Sequence, residues 1–208
     1  MKLTSLLMVV AVVAVVISAV NLINNIAISQ TGRASEGNVS LEVFERIEIN
    51  FTRNIINWST GNVDPAQPWA YLSTKGVNIN NISWNNQTRG LVIESLSTLN
   101  ITLNLTSSKD ALNFLDGGTF QGSQFLWEVN QDPVTTDYGN GDGESGTCAA
   151  GLAPISWASV TTTPTTICSN MGFAANANEL EIDIAVNISR TAPTGPKNVT
   201  ITATAVKI

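Results

Sequence analysis

The sequence predicts a mainly β protein, a long N-terminal hydrophobic α-helix followed by an antiparallel β-sandwich. Three observations predict it. No charged residue lies between Lys2 and Arg33. Short runs of alternating apolar and polar residues fill the chain from Val39 onward. Gly, Asn and Pro separate those runs, and period 2 with β-branched enrichment is the pattern of half-buried antiparallel strands. The expected division is residues 1–30 as the helix, a membrane anchor or filament core, and residues 31–208 as an extracellular β-sandwich domain.

The helix expectation rests on length and composition. Leu6 to Ile23 holds twelve Leu, Val or Ile residues among its eighteen. Their summed preference for a bilayer is about −4 to −7 kcal/mol, and that many helical residues cover about 27 Å, close to the hydrocarbon thickness. Lys2 is the only charged side chain on the N-terminal flank, so residues after about 30 are expected outside the membrane. Asn21, Asn24 and Asn25 interleave with Leu22, Ile23, Ile26 and Ile28 at helical spacing, which carries the expected helix to Gln30, and Thr31-Gly32 supplies a stop. Ala11, Ala14 and Ser18 fall on one side, where small residues let apolar helices approach closely. The competing expectation is a cleaved signal peptide with Ile17-Ser18-Ala19 as its site.

In Asn100 to Thr106 the apolar positions are Ile101, Leu103 and Leu105. In Leu180 to Ser189 they are Leu180, Ile182, Ile184, Val186 and Ile188. In Asn198 to Ala205 they are Val199, Ile201, Ala203 and Ala205. Val39 to Val43, Ile47 to Phe51 and Val77 to Ser83 alternate less regularly. Eight to ten strands are expected, and eight to ten short strands with frequent turns favour a sandwich. Ser108 to Leu115 reads as a helical turn.

Composition excludes several classes of function. Only 12% of the chain is charged, and the net charge of −6 disfavours nucleic acid as a partner. There is no histidine, so the commonest general base and transition-metal ligand is missing. No phosphate-binding glycine loop or nucleophile elbow occurs. The expectation is a protein that is not an enzyme and carries no cofactor. The carboxylates Glu94 and Asp110 are the pair weighed for glycoside hydrolysis, but nothing in the sequence brings them together. Trp58, Trp69, Trp84, Trp127 and Trp157 read as core anchors in preference to a sugar platform.

Cys148 and Cys168 are the only cysteines. In an exported domain such a pair reads as one disulfide, contributing about 3 kcal/mol. Without histidine, two thiolates do not complete a tetrahedral zinc site easily. The stretch 132–146 is rich in Gly and Asp, with Asp132, Asp137, Asn140, Asp142 and Glu144 as possible oxygen ligands for calcium. Its spacing departs from the EF-hand loop, and a solvated turn is the favoured reading.

Asn-x-Ser/Thr triplets begin at Asn38, Asn50, Asn57, Asn81, Asn86, Asn100, Asn104, Asn187 and Asn198, and none has Pro in the middle. These nine positions exceed by about twofold what the Asn, Ser and Thr content alone produces. Asn100, Asn104 and Asn187 fall on the outward phase of their strands, where an N-linked glycan would reach solvent.

The Val/Ala-rich N-terminal segment and the sequon-studded β domain together resemble archaeal pilin-like and N-terminally anchored cell-surface glycoproteins. The run Gly90 to Thr106 also resembles the paired strands of immunoglobulin-like surface domains. In pilins and archaellins the hydrophobic helices form a filament core and the β domains its sheath. The resemblance therefore implies a structural subunit of an extracellular pilus-like filament, self-associating as a homopolymer and inserted in a membrane during biogenesis. This chain departs from the pilin pattern in carrying only Met1-Lys2 before the hydrophobic run. The alternatives are a membrane-anchored surface glycoprotein, adhesive or part of a surface layer, and a secreted calcium- or sugar-binding module.

Overall fold

The computed structural model describes residues 44–119, 121–131 and 143–208. The chain divides into two units, Met1–Val43 and Phe44–Ile208, and every described residue belongs to the second. Its strands are β1 (Ile49–Arg53), β2 (Asn62–Val63), β3 (Trp69–Ser73), β4 (Asn78–Ile79), β5 (Asn81–Ile82), β6 (Leu91–Ser95) and β7 (Ile101–Ser107). They continue as β8 (Gln124–Asn130), β9 (Cys148–Ala150), β10 (Ala158–Ser159), β11 (Thr165–Met171), β12 (Glu179–Ser189) and β13 (Ile201–Lys207). One short helix, α1 (Ala111–Phe114), follows β7, and the Asp110 side chain caps it by accepting from the Asn113 amide.

Strand β12 organises the larger, seven-stranded sheet. All its pairings are antiparallel. Along one edge it pairs with β8, Ile184 opposite Trp127. Its other edge is divided: β6 takes the first part, with Ile182 opposite Leu91, and β3 takes the second, with Val186 opposite Leu72. Strands β1, β4 and β10 extend this sheet beyond β6, β3 and β8. The second sheet has the order β13-β7-β11-β9, and β2 pairs with β5 as a separate ribbon.

The division of β12's edge has a local cause. Where β6 and β3 separate, Thr74 fills the gap. Its amide donates to the Ile184 carbonyl at 2.9 Å, and its Oγ1 accepts from the Ile184 amide at 3.0 Å. On the other side of the gap Gly90 lies so close to β12 that a Cβ there would stand 2.4 Å from the Ile182 carbonyl oxygen. Any larger residue at Gly90 would push the strands apart.

The core lies between the two larger sheets. Leu180, Ile182, Ile184 and Val186 of β12, Phe125 and Trp127 of β8 and Leu72 of β3 are buried from one side. Ile101, Leu103 and Leu105 of β7 and Ile167 and Met171 of β11 are buried from the other, all in one cluster. Each such side chain stabilises the fold by about 1.5–3 kcal/mol through removal from water. Only apolar side chains at period 2 satisfy that layer.

The expected architecture is corrected on one main point. The described residues are 44% strand and 3% helix, their only helix is α1 with four residues, and no described helix is long and apolar enough to cross a membrane. The strands also form three antiparallel sheets, with thirteen strands in place of the eight to ten expected. The helix expected over residues 1–30, with Ala11, Ala14 and Ser18, lies outside the described residues. The strand count exceeds the expected one for a physical reason: β2, β4, β5 and β10 have two residues each, too short to show alternation in the sequence.

Candidate interaction face

Among the described residues one margin of the domain is left open. There β13, the end strand of the smaller sheet, lies beside β1, the end strand of the larger one. Ile201, Ala203 and Ala205 point toward the core but are only half-buried, and so are Ile49 and Phe51. Among the described residues β13 pairs only with β7, so one row of its backbone N–H and C=O groups lacks a strand partner. Apolar side chains gather at the same margin. Phe44 is 75% exposed, Val206 50% and Ile208 63%, and the ion pair between Lys207 Nζ and Glu45 Oε2 holds the two chain segments together. An edge strand flanked by exposed apolar residues is a template for pairing with another chain.

A cleft of about 1220 Å³ opens on this side. Its floor is the core itself, including Leu72, Phe125, Ile184 and Val186, and its walls are the 54–63 and 189–201 segments. Trp58 and Trp84 border it, packed partly against the core. The Trp58 Nε1–H is buried there without an acceptor, a donor that burial leaves uncompensated. Trp127 alone among the tryptophans is fully buried, while Trp69 is 37% exposed.

The opposite margin is closed by covalent and polar ties. Cys148 of β9 and Cys168 of β11 form a disulfide across adjacent strands, with Cα atoms 5.7 Å apart. The Cys148 amide donates to Gln131 Oε1 at 2.8 Å, and the Gly172 amide donates to the Thr147 carbonyl at 2.7 Å. Glu144, a possible calcium ligand by sequence, instead accepts from the Asn178 and Glu179 amides at 2.7 and 3.2 Å. Asp132, Asp137, Asn140 and Asp142 lie outside the described residues. Among the described residues no three acidic or cysteine side chains gather as a metal site. Glu94 and Asp110 likewise have structural partners: Glu94 Oε1 accepts from Asn178 Nδ2 at 3.3 Å, and Asp110 caps α1.

The outer face of the larger sheet carries buried charge. On β12 the polar positions Glu181 and Asp183 are each 3% exposed. Glu181 Oε1 accepts from the Gly90 amide at 2.8 Å, with the Arg53 guanidinium 4.0 Å away. Asp183 Oδ1 accepts from Thr74 Oγ1 at 2.6 Å. Glu128 of β8 stands directly opposite Asp183 and is ion-paired with Lys75. Tyr71 of β3 lies on this face as well. Burial raises its pKa above the usual 10.0; the Ser73 hydrogen bond opposes that shift, and the Glu128 and Asp183 carboxylates add to it.

The sequons distribute unevenly. Asn50, Asn57, Asn86, Asn100 and Asn198 are exposed, and Asn81, Asn104 and Asn187 are half-buried. Asn100 and Asn104 lie on the outer face of the smaller sheet beside Thr102, Thr106, Thr166 and Thr204, with Asn104 Oδ1 accepting from Thr166 Oγ1 at 2.7 Å. Asn187 departs from the outward placement expected for it. It sits on the covered face of β12, and its Oδ1 is buried without a donor. Asn38 lies outside the described residues.

Two features escaped the sequence reading. The open margin was hidden because alternation in 198–205 reads the same for an edge strand as for a central one. The buried carboxylates were hidden because Glu181 and Asp183 occupy the polar phase that normally faces water. No protein-family model matches the chain, and no curated protein or solved structure matches it either.

Proposed function

We propose that the protein is a structural subunit of an extracellular, pilus-like filament built from copies of this chain. The observation that carries the proposal is the open margin, where an unpaired β13 edge, half-buried core positions and the exposed Phe44, Val206 and Ile208 coincide. A second copy is the occupant that best suits it. The apolar Leu6–Ile23 run gives every copy a further surface that water disfavours, and a margin that differs from its counterpart across the domain supports head-to-tail contacts, which extend into polymers. The Thr- and Asn-rich outer face of the smaller sheet suits the filament exterior, with N-linked glycans on its exposed sequons. The disulfide fits an oxidising, extracytoplasmic setting.

Electron microscopy of the native cell surface with an antibody to residues 44–208 tests this reading. Decorated fibres that shear from cells are expected. Label confined to the membrane, with no fibres and no shear-released chain, would instead identify a singly anchored surface glycoprotein.

A further inference from the structure

We infer that Lys75 and Glu128 are joined in the mature protein by an intramolecular isopeptide bond, with Asp183 as the proton-transfer group. The inference concerns the domain alone and does not depend on filament assembly.

Three elements bring the groups together. Lys75 follows the end of β3, Glu128 is on β8, and Asp183 is on β12, which runs between those two strands. Lys75 Nζ contacts Glu128 Oε1 directly, reaching over the central strand to do so. Glu128 and Asp183 are cross-strand partners on the same face, and such directly opposed side chains stand about 5 Å apart. Glu128 is 8% exposed and Asp183 3%. The Trp157 ring lies 5.5 Å from Lys75 Nζ.

The arrangement meets the chemical needs of the reaction. Attack requires a neutral amine and a protonated carboxyl, so one proton passes from the Lys75 ammonium to Glu128 through the contact that the two groups already make. The step is a condensation. The Lys75 Nζ lone pair attacks Glu128 Cδ, and the Nζ–Cδ bond forms. Asp183 carboxylate takes a proton from Nζ and returns it to the Glu128 hydroxyl. The Cδ–O bond breaks, water leaves, and Asp183 is again a carboxylate. Lysine amine plus glutamic acid give amide plus water, with no oxidant, reductant or added group. The hydrogen bond from Thr74 Oγ1 to Asp183 Oδ1 orients the transferring group. The product ties β3 to β8 across β12, closing 53 residues of sequence into a loop.

The test is peptide mapping of the purified full chain by tandem mass spectrometry after denaturation and protease digestion. The expected result is a branched peptide containing Lys75 and Glu128, lighter by one water than the sum of its two parts, with cleavage after Lys75 lost. The Lys75→Arg and Asp183→Asn chains, checked for folding by circular dichroism and an intact disulfide, are expected to yield only linear peptides. Linear Lys75 and Glu128 peptides as the sole species from the wild-type chain would overturn the inference and leave an ion pair. So would a branched peptide that persists in Asp183→Asn as to Asp183's role. Because the wild-type digest decides the bond itself, a variant that fails to fold leaves the result intact.

Discussion

The two margins of this domain are built from similar strands and end differently. At the β9–β11 margin the end strand β9 has only three residues, is covalently joined to β11, and has its Cys148 amide capped by Gln131. Met171 and Cys168 behind them are fully buried. At the β1–β13 margin a seven-residue end strand has no described hydrogen-bonded strand on one side, and core-facing Ile201, Ala203 and Ala205 stay half-buried. Natural proteins cover or blunt such edges. The contrast teaches that the open margin is not a general looseness of a charge-poor domain, since the same chain seals its other side. It is where the proposed second copy would complete the layer.

The largest expected effect that sharpens the contrast is at the closed margin. Met171→Ala removes a side chain with no exposed surface, and is expected to lower stability by about 2–5 kcal/mol in a urea titration. Replacing both cysteines by serine releases a tie between residues 20 apart in sequence, and costs about 3 kcal/mol by the same titration. The matching change at the open margin is smaller. Val206→Ala should alter stability of the dispersed chain by less than about 0.5 kcal/mol, because half of that side chain is already in water. A loss at Val206 comparable to that at Met171 would break the comparison.

The smallest effect concerns pH and belongs to neither margin. The pKa of Tyr71 is raised in the folded chain, chiefly by burial. A group protonated more tightly when folded contributes stability that is complete below its unfolded pKa and declines as pH rises through the folded one. Stability should therefore fall above pH about 10, and Tyr71→Phe should soften that decline in alkaline unfolding curves.

Much of the core was legible in the sequence. The periods in 101–105 and 180–186 name inward residues that are buried, and Ile188 is partly so, because a strand alternates sides strictly and water sorts the side chains. The cysteine pair was legible from its number and setting. Other features were not. Nothing in LEIDIAVNIS distinguishes a strand with one wet face from β12, whose second face is covered, since the partners of its buried carboxylates include distant Thr74 and Gly90. The divided edge of β12 depends on Gly90 approaching Ile182, a tertiary contact with no local signature. The open margin was equally hidden, because strand order decides which strand becomes an edge.

Thiol accessibility on intact cells tests the open margin most directly. Val206→Cys and Ile155→Cys place a single added thiol at exposed apolar positions, 50% and 74% exposed in the single chain. A membrane-impermeant maleimide is applied to assembled material and to the same material after dissociation. The expected result is that Val206→Cys is shielded in the assembly and labelled after dissociation, while Ile155→Cys is labelled in both. Equal labelling of Val206→Cys before and after dissociation would contradict the account.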